Sequence, residues 1–142
     1  MKEVKHVKAE DAVEIPAGKA GAEAPDLGPL LGEWVNTNEA SKGVNRVALS
    51  LNGEHLTVRL FGSVDGTERD WEAVEADCVY AAGISSKQPV AFSATYNFDS
   101  RQARVLTNQS LGLLIVAICT TVDGAASPAS FTREFYRRVT PR

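Results

Sequence analysis

The sequence predicts an all-β protein, and among all-β architectures an eight-stranded antiparallel up-and-down β-barrel. Three observations carry this. From Gly32 onward, apolar and polar residues alternate with period two. Turn chemistry recurs at short intervals, and no convincing long helical pattern separates the strands. Short connections make successive strands antiparallel neighbours, so a barrel is the economical topology and a two-sheet sandwich the alternative.

The first segment, Met1 to Leu30, stands apart. It holds Pro16, Pro25 and Pro29 with much Ala, Gly, Lys and Glu, and reads as a flexible arm or lid before a single barrel domain over 31–142. Val4, Val7, Val13, Ile15 and Leu27 give it a few apolar anchors. Its basic start runs straight into Glu10 and Asp11, so no signal-peptide core forms and a cytoplasmic protein is expected. Without secretion, the glycosylation pattern at Asn108–Ser110 carries nothing.

Glu33 to Thr37 reads as the first strand. Arg46–Leu51, Asn52-Gly53 and Glu54–Phe61 form the clearest unit, a hairpin whose turn residues tolerate positive φ. Pairing outward from Asn52-Gly53 sets Leu49 opposite Leu56, Val47 opposite Val58 and Arg46 opposite Arg59. One face is aliphatic and the other polar and basic, and water favours the aliphatic face inward. Asp70 to Tyr80 reads as one strand, although Trp71–Asp77 also suits a helix start. Val90–Phe98 sets Phe92, Ala94, Tyr96 and Phe98 on one side. Arg101–Gln109, Leu111–Thr121 and Ser130–Arg138 complete the set. Asp65-Gly66, Asp99-Ser100 and Asp123-Gly124 supply turns.

With 142 residues, 44% hydrophobic and 23% charged, the chain builds one cored domain. A net charge of -3 argues against nucleic acid as a partner. The longest apolar run, Leu111 to Cys119, is too short for a membrane helix. That run does not alternate, which implies cover on both faces, the outer one by another subunit or by the N-terminal arm; a homo-oligomer, most simply a dimer joined around Leu113–Ile118, is expected. Two cysteines make no disulfide framework, and Cys78 and Cys119, on separated strands, are expected to be free. His6, His55, Cys78 and Cys119 are too scattered for a metal site, and neither a nucleophile with its base nor a phosphate loop appears. No cofactor is expected.

Gly32-Glu33-Trp34 at the head of the first strand, with Arg137-Arg138 closing the last, resembles the calycin superfamily of lipocalins, fatty-acid-binding proteins and avidins. The resemblance implies that Trp34 plugs one barrel end and that a terminal arginine lies across its indole and caps backbone carbonyls. Trp34-Val35-Asn36 is similar to the avidin opening, whose Asn reaches the ligand, and Thr95–Phe98 is similar to an avidin strand with Tyr96 in place of a stacking Trp. Only Trp34 and Trp71 are present, so a biotin site is not implied.

Three functions follow as expectations. The first is binding of an apolar or mixed-polarity small molecule in the barrel cavity, by Asn36, Phe92 and Tyr96, joined by Arg59 and Phe61 if the polar face of the hairpin points inward, with Gly32, Trp34, Arg137 and Arg138 structural. The second is a cofactor-free cyclase of natural-product biosynthesis, which needs little beyond a shaped cavity and one or two donors. The third is an oligomeric interaction module with a filled core. An aromatic and polar cavity favours the first two; a side-chain-filled interior favours the third.

Overall fold

The computed structural model describes residues 26–63, 68–124 and 129–139. Its regular elements are strands: β1 (Gly32–Asn36), β2 (Val44–Asn52), β3 (His55–Ser63), β4 (Glu68–Glu75), β5 (Cys78–Ala81), β6 (Pro89–Phe98), β7 (Arg101–Ser110), β8 (Leu113–Val122) and β9 (Ser130–Arg138). They form one curled antiparallel sheet in the order β4-β3-β2-β1-β9-β8-β7-β6-β5. Most of residues 1–30, and the turn expected at Asp65-Gly66, lie outside the described residues.

Among the described residues nine strands replace the eight expected, because the single strand read over Asp70–Tyr80 is two. Their junction also rolls the sheet. β4 pairs with β3 and β5 with β6, on opposite ends of the sheet order. At the crossing, the Ala76 amide donates to the Leu56 carbonyl at 2.9 Å and the Asp77 amide to the Ser93 carbonyl at 2.7 Å. One length of chain thus passes from one sheet edge to the other.

The helix-like spacing around Trp71 has a local cause. β4 holds one residue more than β3 between the pairs Arg59↔Ala73 and Phe61↔Asp70. Glu72 absorbs it at φ 71, with its amide held by Asp70 Oδ1 at 2.7 Å. Such a bulge resets the alternation, so Trp71 and Val74 both join the core although three residues apart.

The hairpin of β2 and β3 forms where expected, but its register differs. The two-residue loop is Gly53-Glu54 rather than Asn52-Gly53, with Asn52 opposite His55 and Gly53 at φ 70. Glycine at the first central position suits a type II′ turn. Leu49 therefore faces Val58, and Arg46 faces Phe61 instead of Arg59. A shift of two residues leaves every side chain on its face, and the aliphatic face is the buried one.

β8 starts at Leu113, not Leu111. Leu111 and Gly112, at φ 52 and 83, are the two central residues of the β7–β8 turn. Beyond it the strand does alternate in burial: Leu114, Val116 and Ile118 are buried while Leu113, Ile115 and Ala117 are half-covered.

The core lies on the concave face. Leu30, Trp34, Val47, Val58, Leu60, Phe92, Leu114 and Tyr136 are almost wholly buried there. Leu27 and Leu30 enter it from the turn before β1, which closes through Leu30 N to Leu27 O at 2.8 Å.

Candidate functional site

At one end of the sheet, Trp34 is fully buried and its Nε1 donates to the Leu30 carbonyl at 3.1 Å. Arg138, not Arg137, lies over the indole, its Cζ 4.3 Å from the ring centroid. The same guanidinium donates to the carbonyls of Pro29 and Leu31. Gly32 sits at φ +121, and a Cβ there would come 2.9 Å from Arg138 Nη1. Gly32, Trp34 and Arg138 are thus one interlocked plug, while Arg137 faces outward beside Val35 and Leu113.

A polar cluster joins β1, the following loop and β9. The Asn36 amide donates to the Val44 carbonyl at 3.0 Å and to Glu134 Oε1 at 2.9 Å, and its Oδ1 accepts the Asn38 amide. Ser41 donates to the same Oε1 at 2.8 Å, and the Tyr136 hydroxyl donates to the Val44 carbonyl at 2.6 Å. Burial pushes the Tyr136 phenol well above its ordinary 10.0. Sequence reasoning singled out Asn36 and passed over Glu134, Ser41 and Tyr136. The available signal was parity: Glu134 and Tyr136 share the inward phase of Arg138, an inversion in which β9 points its phenylalanines out.

A second aromatic group bridges the sheet edges. Trp71 meets Tyr96 and Phe98 edge-on, each at 5.2 Å between centroids, and Tyr96 stacks on Phe98 at 5.9 Å. The Tyr96 hydroxyl points between the carbonyls of Val58 and Glu72, 3.0 Å from each. Desolvation raises its phenol above 10.0 as well. Trp71 Nε1 donates to the Gly62 carbonyl at 3.3 Å.

The five residues expected to share a cavity are divided between two faces. Asn36, Phe92 and Tyr96 are buried on the concave side. Arg59 and Phe61 lie on the convex side, alternating with buried Val58 and Leu60. There the Arg46 guanidinium stands 3.9 Å and that of Arg59 5.4 Å from the Phe61 centroid. Arg46 pairs with Glu33 at 3.3 Å and Arg59 with Asp70. Hydrogen bonds from Arg59 hold the Asp70 carboxyl below its ordinary 3.8, and the pairing raises the Arg59 guanidinium in turn. The two arginines do not oppose each other, and His55 pairs with Glu75 at 2.8 Å on the surface.

One interior atom stands out. Thr107 is buried on β7 between Phe92 and Val116, and its Oγ1 has no hydrogen-bond partner among the described residues. No group of three metal-ligating side chains occurs among the described residues, and both thiols are free.

The convex side of β7–β9 carries the other unusual surface. Leu106 and Phe131 are 57% and 62% exposed, Phe135 and Cys119 are exposed, and Leu113, Ile115 and Ala117 lie between them. Fold and surface together define an all-β protein of one curled, barrel-like sheet. Among the described residues, no helix is long and apolar enough to cross a membrane. No family model matches the chain, and no curated protein matches it.

Proposed function

We propose that this protein is an oligomeric interaction module, in which a side-chain-filled barrel serves to present its convex face. The observation that carries the reading is the state of the interior polar groups. Asn36, Tyr96 and Tyr136, the donors best placed to greet a ligand, are bonded to the protein's own carbonyls and to Glu134. A binding cavity needs convergent polar groups left for the ligand. Large side chains with almost no exposure fill the same space. The calycin-like plug of Gly32, Trp34 and Arg138 fits this reading as a structural lock, and the two free thiols suit a reducing, cytoplasmic setting.

The small-molecule reading, with its cyclase variant, retains one specific observation. The buried Thr107 hydroxyl without a partner is the kind of group that a ligand or an internal water satisfies. Crystals soaked with a fragment panel decide between the two. The module predicts no fragment on the concave face. A fragment bonded to Thr107 and seated between Phe92 and Val116 overturns it in favour of a binding barrel.

A further inference from the structure

We infer that the convex face of β7–β9 docks a second copy of this chain through a twofold contact in which arginines of one copy lie on phenylalanines of the other. The inference rests on the interaction-module reading and names its partner. Along β9 the outward positions read Phe131, Arg133, Phe135, Arg137, a strict alternation of ring and cation. Within one copy, Arg133 Cζ lies 5.2 Å from the Phe135 centroid, so the pairing chemistry is already present on the strand.

The alternation is self-complementary. A twofold axis beside Glu134 runs the two β9 strands antiparallel. It sets Phe131 opposite the partner's Arg137, and Phe135 opposite the partner's Arg133. Every ring then meets a guanidinium, and no arginine meets an arginine. A closed, isologous contact of this kind needs one patch that matches its own rotated image. A strand with cations alone lacks that property.

Behind this row lies the apolar ground that a dimer covers. Leu113, Ile115, Ala117 and Cys119 of β8 sit beside Arg137, Phe135, Arg133 and Phe131 in turn, and exposed Leu106 adjoins Ala117. The face carries Arg104, Arg133 and Arg137 with no carboxylate among these outward positions of β7, β8 and β9. In the dimer, the opposing rings meet the cations of Arg133 and Arg137. Aromatic and arginine anchors over an apolar centre are also the residue types that dominate protein interfaces.

Sedimentation velocity across a concentration series tests the contact with charge variants at one exposed ring. The full chain is expected to be a dimer. Phe131→Lys places a cation opposite the partner's Arg137 and should weaken self-association at least about tenfold. Phe131→Asp removes the same ring but supplies a salt bridge to that arginine, so it should remain dimeric. Phe131 lies outside the core, so both variants should keep the wild-type circular dichroism and, at concentrations low enough that every form is monomeric, the wild-type melting curve. A full-length monomer at all concentrations, or Lys and Asp variants that associate alike, overturns the inference. Lys and Asp variants that associate alike leave the module reading standing, a monomer also removes its oligomeric part, and the filled interior fails separately, through a fragment bound at Thr107.

Discussion

Trp34 and Thr107 are both buried, yet substituting them should move stability in opposite directions. Trp34 fills the sheet's end, donates to the Leu30 carbonyl and supports Arg138. Truncating a buried aromatic removes its transfer free energy and leaves a cavity that the surroundings fill only in part. Trp34→Ala should therefore cost about 3–5 kcal/mol, read from urea denaturation, and a near-neutral variant would deny the plug its structural role. Thr107 differs because its hydroxyl is desolvated with no partner in return. Replacing it with the near-isosteric Val deletes that penalty, so Thr107→Val should raise stability by about 1 kcal/mol. A destabilised Thr107→Val protein would mean that the hydroxyl has a bonded guest.

At the scale of elements, the strands after β1 were legible wherever alternation and turn chemistry agreed. β6 and β7 run close to the expected bounds, joined by Asp99-Ser100 as read. Phe92, Ala94 and Tyr96 do share the buried face. The reading failed where backbone geometry intervened. Around Trp71 a bulge added a residue, and an inward pair three apart imitates a helix. At Asn52-Gly53 either of two loops satisfies the sequence, and pairing chose Gly53-Glu54. The site was less legible than the fold. Arg59 and Phe61 join Asn36, Phe92 and Tyr96 only where the polar face of the hairpin points inward, and that face points out. Leu111 was hidden for a different reason: its apolar side chain suits a strand, but its position demands a left-handed backbone. It stands 98% exposed at φ 52, so it contributes no burial and carries the steric cost of a Cβ there. Asn tolerates that conformation and makes the favoured Asn-Gly hairpin pair with Gly112. Leu111→Asn should stabilise the protein by about 1 kcal/mol, visible as a higher denaturation midpoint with an unchanged slope.

For the whole molecule, the sheet is held in its curl by groups that must stay protonated. The Tyr96 hydroxyl ties β6 to β3 and β4, and that of Tyr136 ties β9 to the start of β2. Burial raises both phenols above the 10.0 of a free tyrosine, because each phenolate would lose its water and its donated bond. The unfolded chain then releases these protons at lower pH than the folded one does. A raised folded value means that the contribution to stability is complete below about pH 10 and is lost as pH climbs above it. Denaturation midpoints should accordingly hold steady to about pH 9 and fall between about pH 10 and 11. Phenolate absorbance gives a second readout: the native titration should stop two tyrosines short of the denatured one until the fold gives way. In the Tyr96→Phe, Tyr136→Phe double variant the alkaline fall should flatten, since neither state then holds those protons. Native protein that titrates these two phenols like free tyrosine, with its midpoint unmoved, would show that the hydroxyls do not hold the curl.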